Sequence, residues 1–172
     1  MNYIVSLARK AVEEYILGGK TIVPPEPIPK TLKKRAGVFV TIENHGKLRG
    51  CIGTYRPTKE NLTREIIDNA ISAATSDYRF TGIKKDELGD LTYTIYVLDS
   101  PEEICDRSEL NPKKYGVIVK GAISNRIGLL LPGLNGINNI NEQISIAVQK
   151  AGINLKNEKI ILYRFTADKY TD

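Results

Sequence analysis

The sequence predicts an α+β fold with a largely antiparallel sheet and flanking helices. Three observations carry this expectation. Three stretches repeat apolar residues at helical spacing. Six short stretches are rich in β-branched and aromatic residues. The strands are joined partly by hairpin turns, without the regular strand-helix alternation of a parallel sheet. At 172 residues the chain is long enough to bury its own core and reads as a single domain over residues 1–172.

Taken in order, residues 3–17 are the first helix. Tyr3, Ile4, Leu7, Ala8, Ala11, Val12, Tyr15 and Ile16 form one apolar stripe, and Gly18-Gly19 stops it. Pro24-Pro25-Glu26-Pro27-Ile28-Pro29 forbids helix and central strand alike and reads as an extended arm wrapping the domain. Residues 37–42 and 47–52 read as two strands of a hairpin turning at Asn44-His45-Gly46. The second strand is expected to break up at Gly50 and Gly53. Residues 59–75 are the second helix, with Thr58 as its N-cap and Glu60 in its first turn. Residues 84–88 read as loop or a short helical turn.

Leu91 to Leu98 is the strongest strand pattern, eight residues without a breaker. Residues 101–104 read as a turn. Residues 115–120 and 126–131 are two further strands, 139–151 a third helix capped by Gly152, and 159–165 the last strand. The sequence shows no internal repeat and no low-complexity segment.

Composition narrows the class. With 41% hydrophobic and 26% charged residues the chain resembles an ordinary soluble protein. No apolar run approaches the ~20 residues of a membrane helix, and Met1-Asn2-Tyr3-Ile4 lacks a signal-peptide pattern. Cys51 and Cys105 therefore read as free thiols in a cytoplasmic protein. The net charge of +5 is concentrated early: residues 1–60 hold eleven Lys/Arg against five Asp/Glu. A basic first third can attract nucleic acid, but no aromatic residues interleave with its arginines, so nucleic acid is not the favoured partner.

Leu48-Arg49-Gly50-Cys51-Ile52-Gly53-Thr54 is the stretch with most chemical content. Two glycines around a thiol read as backbone left open for an approaching group. Cys51 is the candidate nucleophile, with Arg49 favouring its thiolate and glycine-flanked amides available to an oxyanion. The single histidine, His45, lies in the hairpin turn, carried away from Cys51. A small anion is the other candidate: Gly50 and Gly53 amides can approach it and Arg49 can fork onto it, while Arg79, following Asp77, is either a second anion ligand or, as the favoured reading, the partner of a carboxylate in a structural bridge. No metal-ligand spacing is present.

The same stretch resembles the signature of the AMMECR family, named for the Alport syndrome, midface hypoplasia and elliptocytosis chromosomal region. Prokaryotic members are called protein A of the AmmeMemoRadiSam system. Ordered satellites agree: Gly37-Val38-Phe39-Val40-Thr41, Asp77-Tyr78-Arg79-Phe80, Asp86-Glu87-Leu88, Leu130-Leu131-Pro132 and Lys150-Ala151-Gly152. The resemblance implies two unequal subdomains in one compact unit and a cleft near the signature. It carries over Arg49, Gly50, Cys51, Gly53, Asp77, Arg79, Phe80 and Glu87 as site residues. It implies a Memo-type protein and a radical S-adenosylmethionine enzyme as partners, and no settled activity. The chain departs from the family pattern at Gly133-Leu134-Asn135. The expected function is an accessory or binding protein with a site for a small anionic ligand or a partner protein. The alternatives are an enzyme using Cys51 and a nucleic-acid-binding module.

Overall fold

The computed structural model describes residues 2–24 and 26–172; Pro25, within the expected extended arm, lies outside the described residues. The fold is α+β, with antiparallel pairing throughout the two hairpins and their third strands. The chain divides into two compact units of unequal size, Met1–Leu98 with Asp168–Asp172, and Asp99–Ala167.

The first unit contains helix α1 (Tyr3–Gly18), strands β1 (Gly37–Asn44) and β2 (Lys47–Thr54), helix α2 (Leu62–Thr75) and strand β3 (Leu91–Leu98). Residues of α1 and α2 bury against Val38, Val40 and Ile42 of β1 and against Tyr93, Ile95 and Val97 of β3. Ile22, before the proline run, and Ile28, within it, pack on the same core. Asn2 caps α1 by accepting from the Ile4 N–H, and Gly19 ends it at φ 68°.

The second unit contains β4 (Glu102–Ile104), β5 (Gly116–Gly121), β6 (Ile127–Leu130), helix α3 (Ile140–Ala151) and β7 (Ile160–Phe165). A final strand, β8 (Ala167–Thr171), places its last residues in the first unit. The sheets have the orders β2-β1-β3-β8 and β4-β7-β5-β6. No helix among the described residues is long and apolar enough to cross a membrane.

Several sequence expectations need correction. Strand β2 does not break at its glycines; it runs through both to Thr54. Helix α2 starts at Leu62, so Asn61, not Thr58, is its N-cap and Glu60 precedes it. Residues 102–104 form an edge strand, not a turn, because they pair with β7.

The structure also contains a topological repeat that the sequence does not show. Each unit contains a hairpin, a helix and a returning strand in the same topology: β2-β1-β3 around α2, and β6-β5-β7 around α3. The first residue of each leading strand pairs with the last of the returning one, Gly37 with Leu98 and Gly116 with Phe165. Asn61 and Asn139 cap the two helices alike, each accepting an N–H three residues on. Four residues after each cap stands a buried polar side chain, Glu65 and Gln143. The sequence hides this because the hairpins differ in length and the helices share few identities.

Candidate functional site

The signature lies on β2, an edge of the first sheet. Its glycines are required by packing. A Cβ on Gly50 would stand 2.1 Å from the Ala73 carbonyl oxygen of α2, and one on Gly53 would stand 2.4 Å from the Phe39 ring. The missing side chains let a helix and an aromatic ring close onto the strand, and the space is filled by the protein itself.

Between Gly50, opposite Ile42, and Leu48, opposite Glu43, the register slips, so Arg49 faces no residue of β1. Such a bulge re-aims a side chain. Arg49 reaches the short 3-10 helix Lys85–Asp90 and forks onto Glu87, Nε to Oε2 at 2.6 Å and Nη2 to Oε1 at 2.9 Å. Its remaining reach goes to the carbonyls of Thr81 at 2.7 Å and Gly82 at 3.1 Å. Glu87 also accepts from the Lys84 N–H at 2.8 Å. The Arg49 hydrogen bonds outweigh burial and hold the Glu87 carboxyl down at about 2.

Cys51 is gripped on the open side of the strand. Its N–H donates to Asp77 Oδ2 at 2.9 Å, and its carbonyl accepts from Arg79 Nη2 at 3.4 Å. These two side chains stand where the next strand of the sheet would be, covering an edge that would otherwise offer both groups to another chain. Arg79 in turn forks onto Asp77, Nε to Oδ1 at 2.9 Å and Nη2 to Oδ2 at 2.7 Å. That pairing, against the opposing effect of burial, holds the Asp77 carboxyl down at about 2. The guanidinium carbon of Arg79 lies 5.4 Å from the centre of the half-buried Phe80 ring. Tyr78, between them, is 95% exposed.

Of the eight site residues, four form two guanidinium-carboxylate locks, Arg49–Glu87 and Arg79–Asp77, with Phe80 beside Arg79; Cys51 is tied by its backbone to the second lock, and Gly50 and Gly53 are packing positions. The thiol of Cys51 is half-buried, and its Sγ lies 3.3 Å from Thr41 Oγ1, the cross-strand neighbour. His45 sits at the hairpin tip with Gly46, both at positive φ, and its Nε2 is 3.5 Å from Asp90 Oδ2. It is not brought to Cys51. No group of three His, Cys, Asp or Glu among the described residues could hold a metal ion.

Sequence reasoning missed Glu65. It is 1% exposed and accepts four hydrogen bonds, from Thr54 Oγ1 (2.6 Å), Thr58 Oγ1 (2.9 Å), Thr58 N–H (2.8 Å) and Lys59 N–H (2.8 Å). Burial pushes its carboxyl up, but these bonds outweigh it and the net shift is downward. Asn69 adds bonds to Val38 O and Thr54 Oγ1 at 3.2 Å each. The end of the signature is therefore tied to α2. The signal was an acidic residue on the apolar face of a helix, between Leu62 and Ile66.

A family model described as AMMECR1 matches residues 5–170. A protein of Thermotoga maritima is 50% identical over 169 residues, covering 96% of this chain and 95% of its own. A protein of Clostridium acetobutylicum is 41% identical over 170 residues, covering 98% of this chain but only 36% of its own length. The crystal structure of an uncharacterised protein from Pyrococcus horikoshii superposes with a TM-score of 0.90 at 33% identity, covering 99% of this chain and 90% of that one. The chain belongs to the AMMECR1 family.

Proposed function

We propose that the protein is a non-catalytic accessory protein that docks a partner protein at the signature edge of its first unit. The observation that carries this reading is the placement of Tyr78. Its ring is 95% exposed, yet it sits between two residues locked to each other and to the backbone of Cys51. An exposed aromatic on a rigid base, beside a guanidinium on a ring, is the composition of a protein-binding hot spot.

The other half of the expected site chemistry finds less support. Arg49 spends its fork on Glu87, and the Cys51 N–H is taken by Asp77. An anion arriving there would meet two carboxylates. The thiol neighbours a hydroxyl and not a base, which weakens the reading as a cysteine enzyme.

The Clostridium relative carries this segment within a much longer chain, which fits a module that works beside other protein segments. A Memo-type protein and a radical S-adenosylmethionine enzyme are the partners to try first. The cytoplasm, where free thiols persist, is the compartment this reading takes. Binding of the full chain to each of those two proteins from the same organism, measured by calorimetry, tests it. Tyr78→Ala should weaken the complex about tenfold or more with the melting temperature unchanged. A variant that binds as well as the parent chain removes the reading.

A further inference from the structure

A concavity apart from the signature lies in the first unit where α1 begins and α2 begins. It is a groove of about 430 Å³, within the size range of small-molecule sites. Its floor is apolar: Ile4, Leu32, Leu62 and Val97 line it and are each at most 7% exposed. Its rim is polar and carries both signs of charge, with Lys34 and Asp168 both lining it.

These two charges differ from the others described above. Arg49, Arg79, Asp77 and Glu87 are all paired within the protein, whereas neither Lys34 nor Asp168 has an ion-pair partner within 4.0 Å among the described residues. The backbone of Lys34 is nevertheless fixed, because its carbonyl accepts from the Leu62 N–H at 2.7 Å and so is pinned to the first residue of α2. The first turn of α1, which also faces the groove, carries no acidic residue. Asn2 caps one N–H of that turn, and the positive end of the helix otherwise carries no charged partner in its first turn. Tyr170 also lines the groove, and its phenol is pushed up by burial and by Asp168, so it stays a neutral hydrogen-bond donor or acceptor.

A buried apolar floor in a groove also lined by one unpaired cation and one unpaired anion is complementary to a small molecule with the same three parts. We propose that this groove binds an α-amino acid with a branched aliphatic side chain. Its carboxylate would face Lys34 and the start of α1, its ammonium group Asp168, and its side chain the Leu32, Leu62 and Val97 floor. The proposal is independent of the partner-docking reading, since no residue of the groove belongs to 48–54 or 76–82.

The test is calorimetric titration of the full chain with three probes: L-leucine, L-leucinamide, which lacks the carboxylate, and 4-methylvalerate, which lacks the ammonium group. Leucine is expected to bind about tenfold or more tightly than either analogue. Lys34→Gln should weaken leucine and leave leucinamide unchanged. Asp168→Asn should weaken leucine and leave 4-methylvalerate unchanged. Both positions are on the surface, and equal melting temperatures for the variants confirm an intact fold. Absence of leucine binding overturns the proposal. So does equal binding of leucine and its analogues, or leucine binding that survives both substitutions.

Discussion

Gly50 lies directly beneath the carbonyl of Ala73, so close that a Cβ on the glycine would stand 2.1 Å from that oxygen. The contact is backbone to backbone, between an edge strand and the last turns of a helix, and neither partner can yield by rotating a side chain. Gly50→Ala is therefore expected to cost about 3 kcal/mol or more, read as a lower urea midpoint with an unchanged slope. Gly18→Ala is the control: nothing lies within 4 Å of that site at the end of α1. There alanine should stabilise by about 0.5–1 kcal/mol. A Gly50→Ala protein as stable as the parent would show that β2 and α2 are not seated as described.

The two locks predict an acid limb in stability. Asp77 and Glu87 are held at about 2, below their ordinary values of 3.8 and 4.5. A carboxyl depressed by folding stabilises the native state fully above its unfolded value and loses that contribution as the pH falls toward the folded one. Each should contribute on the order of 2 kcal/mol, complete above about pH 5 and lost progressively down to about pH 2. Melting temperatures of Glu87→Gln and Asp77→Asn, followed across that window, should start lower than the parent and converge with it in acid. Parallel curves at every pH would contradict the assignment.

Glu65 offers a sharper loss. Removing its carboxylate leaves four donors around it, two of them backbone N–H groups of Thr58 and Lys59, without their acceptor. Glu65→Ala should cost about 3–5 kcal/mol. Protection of the Thr58 and Lys59 amides against hydrogen exchange should fall first, before global unfolding.

Alkylation separates the two thiols. Cys105 is exposed and Cys51 half-buried between Thr41 and the Asp77–Arg79 pair. Iodoacetamide should label Cys105 faster in the folded protein, by peptide mass analysis at neutral pH. Faster labelling of Cys51 would revive the cysteine-enzyme reading.

How much of this was legible in the sequence depended on how far away the cause lay. Strand β3 was readable to the residue, because Leu91 to Leu98 contains its own periodicity and no breaker. The hairpin turn was readable because His45-Gly46 carries its own backbone requirement. The two glycines of β2 were visible as unusual but were misread, since what occupies their missing side chains comes from Ala73 and Phe39, and no local pattern names those partners. Thr58 looked like a cap on residue type alone, whereas the side chain that decides its role, Glu65, stands seven residues on. Strand β8 was missed because Ala167–Thr171 buries little: its residues are half-buried or exposed, and only its place beside β3 makes it a strand. The pairing of Arg79 with a carboxylate was legible because Asp77 stands two residues before it, whereas that of Arg49 with Glu87 was not, because 38 residues separate them.

The second unit is an insertion between β3 and β8 of the first, and this ordering bears on how the chain matures during synthesis. Arg9 donates to both carboxylate oxygens of Asp172 at 2.9 and 3.0 Å, and Asp172 also accepts from the Tyr93 N–H at 2.6 Å. Those bonds join positions 163 and 79 residues apart. A ribosome making about 5–20 residues per second delivers α1 and β3 seconds before the segment that ties them together. The later-made unit can finish first, while the earlier one waits with the far edge of its sheet open and the Arg9 guanidinium unclasped.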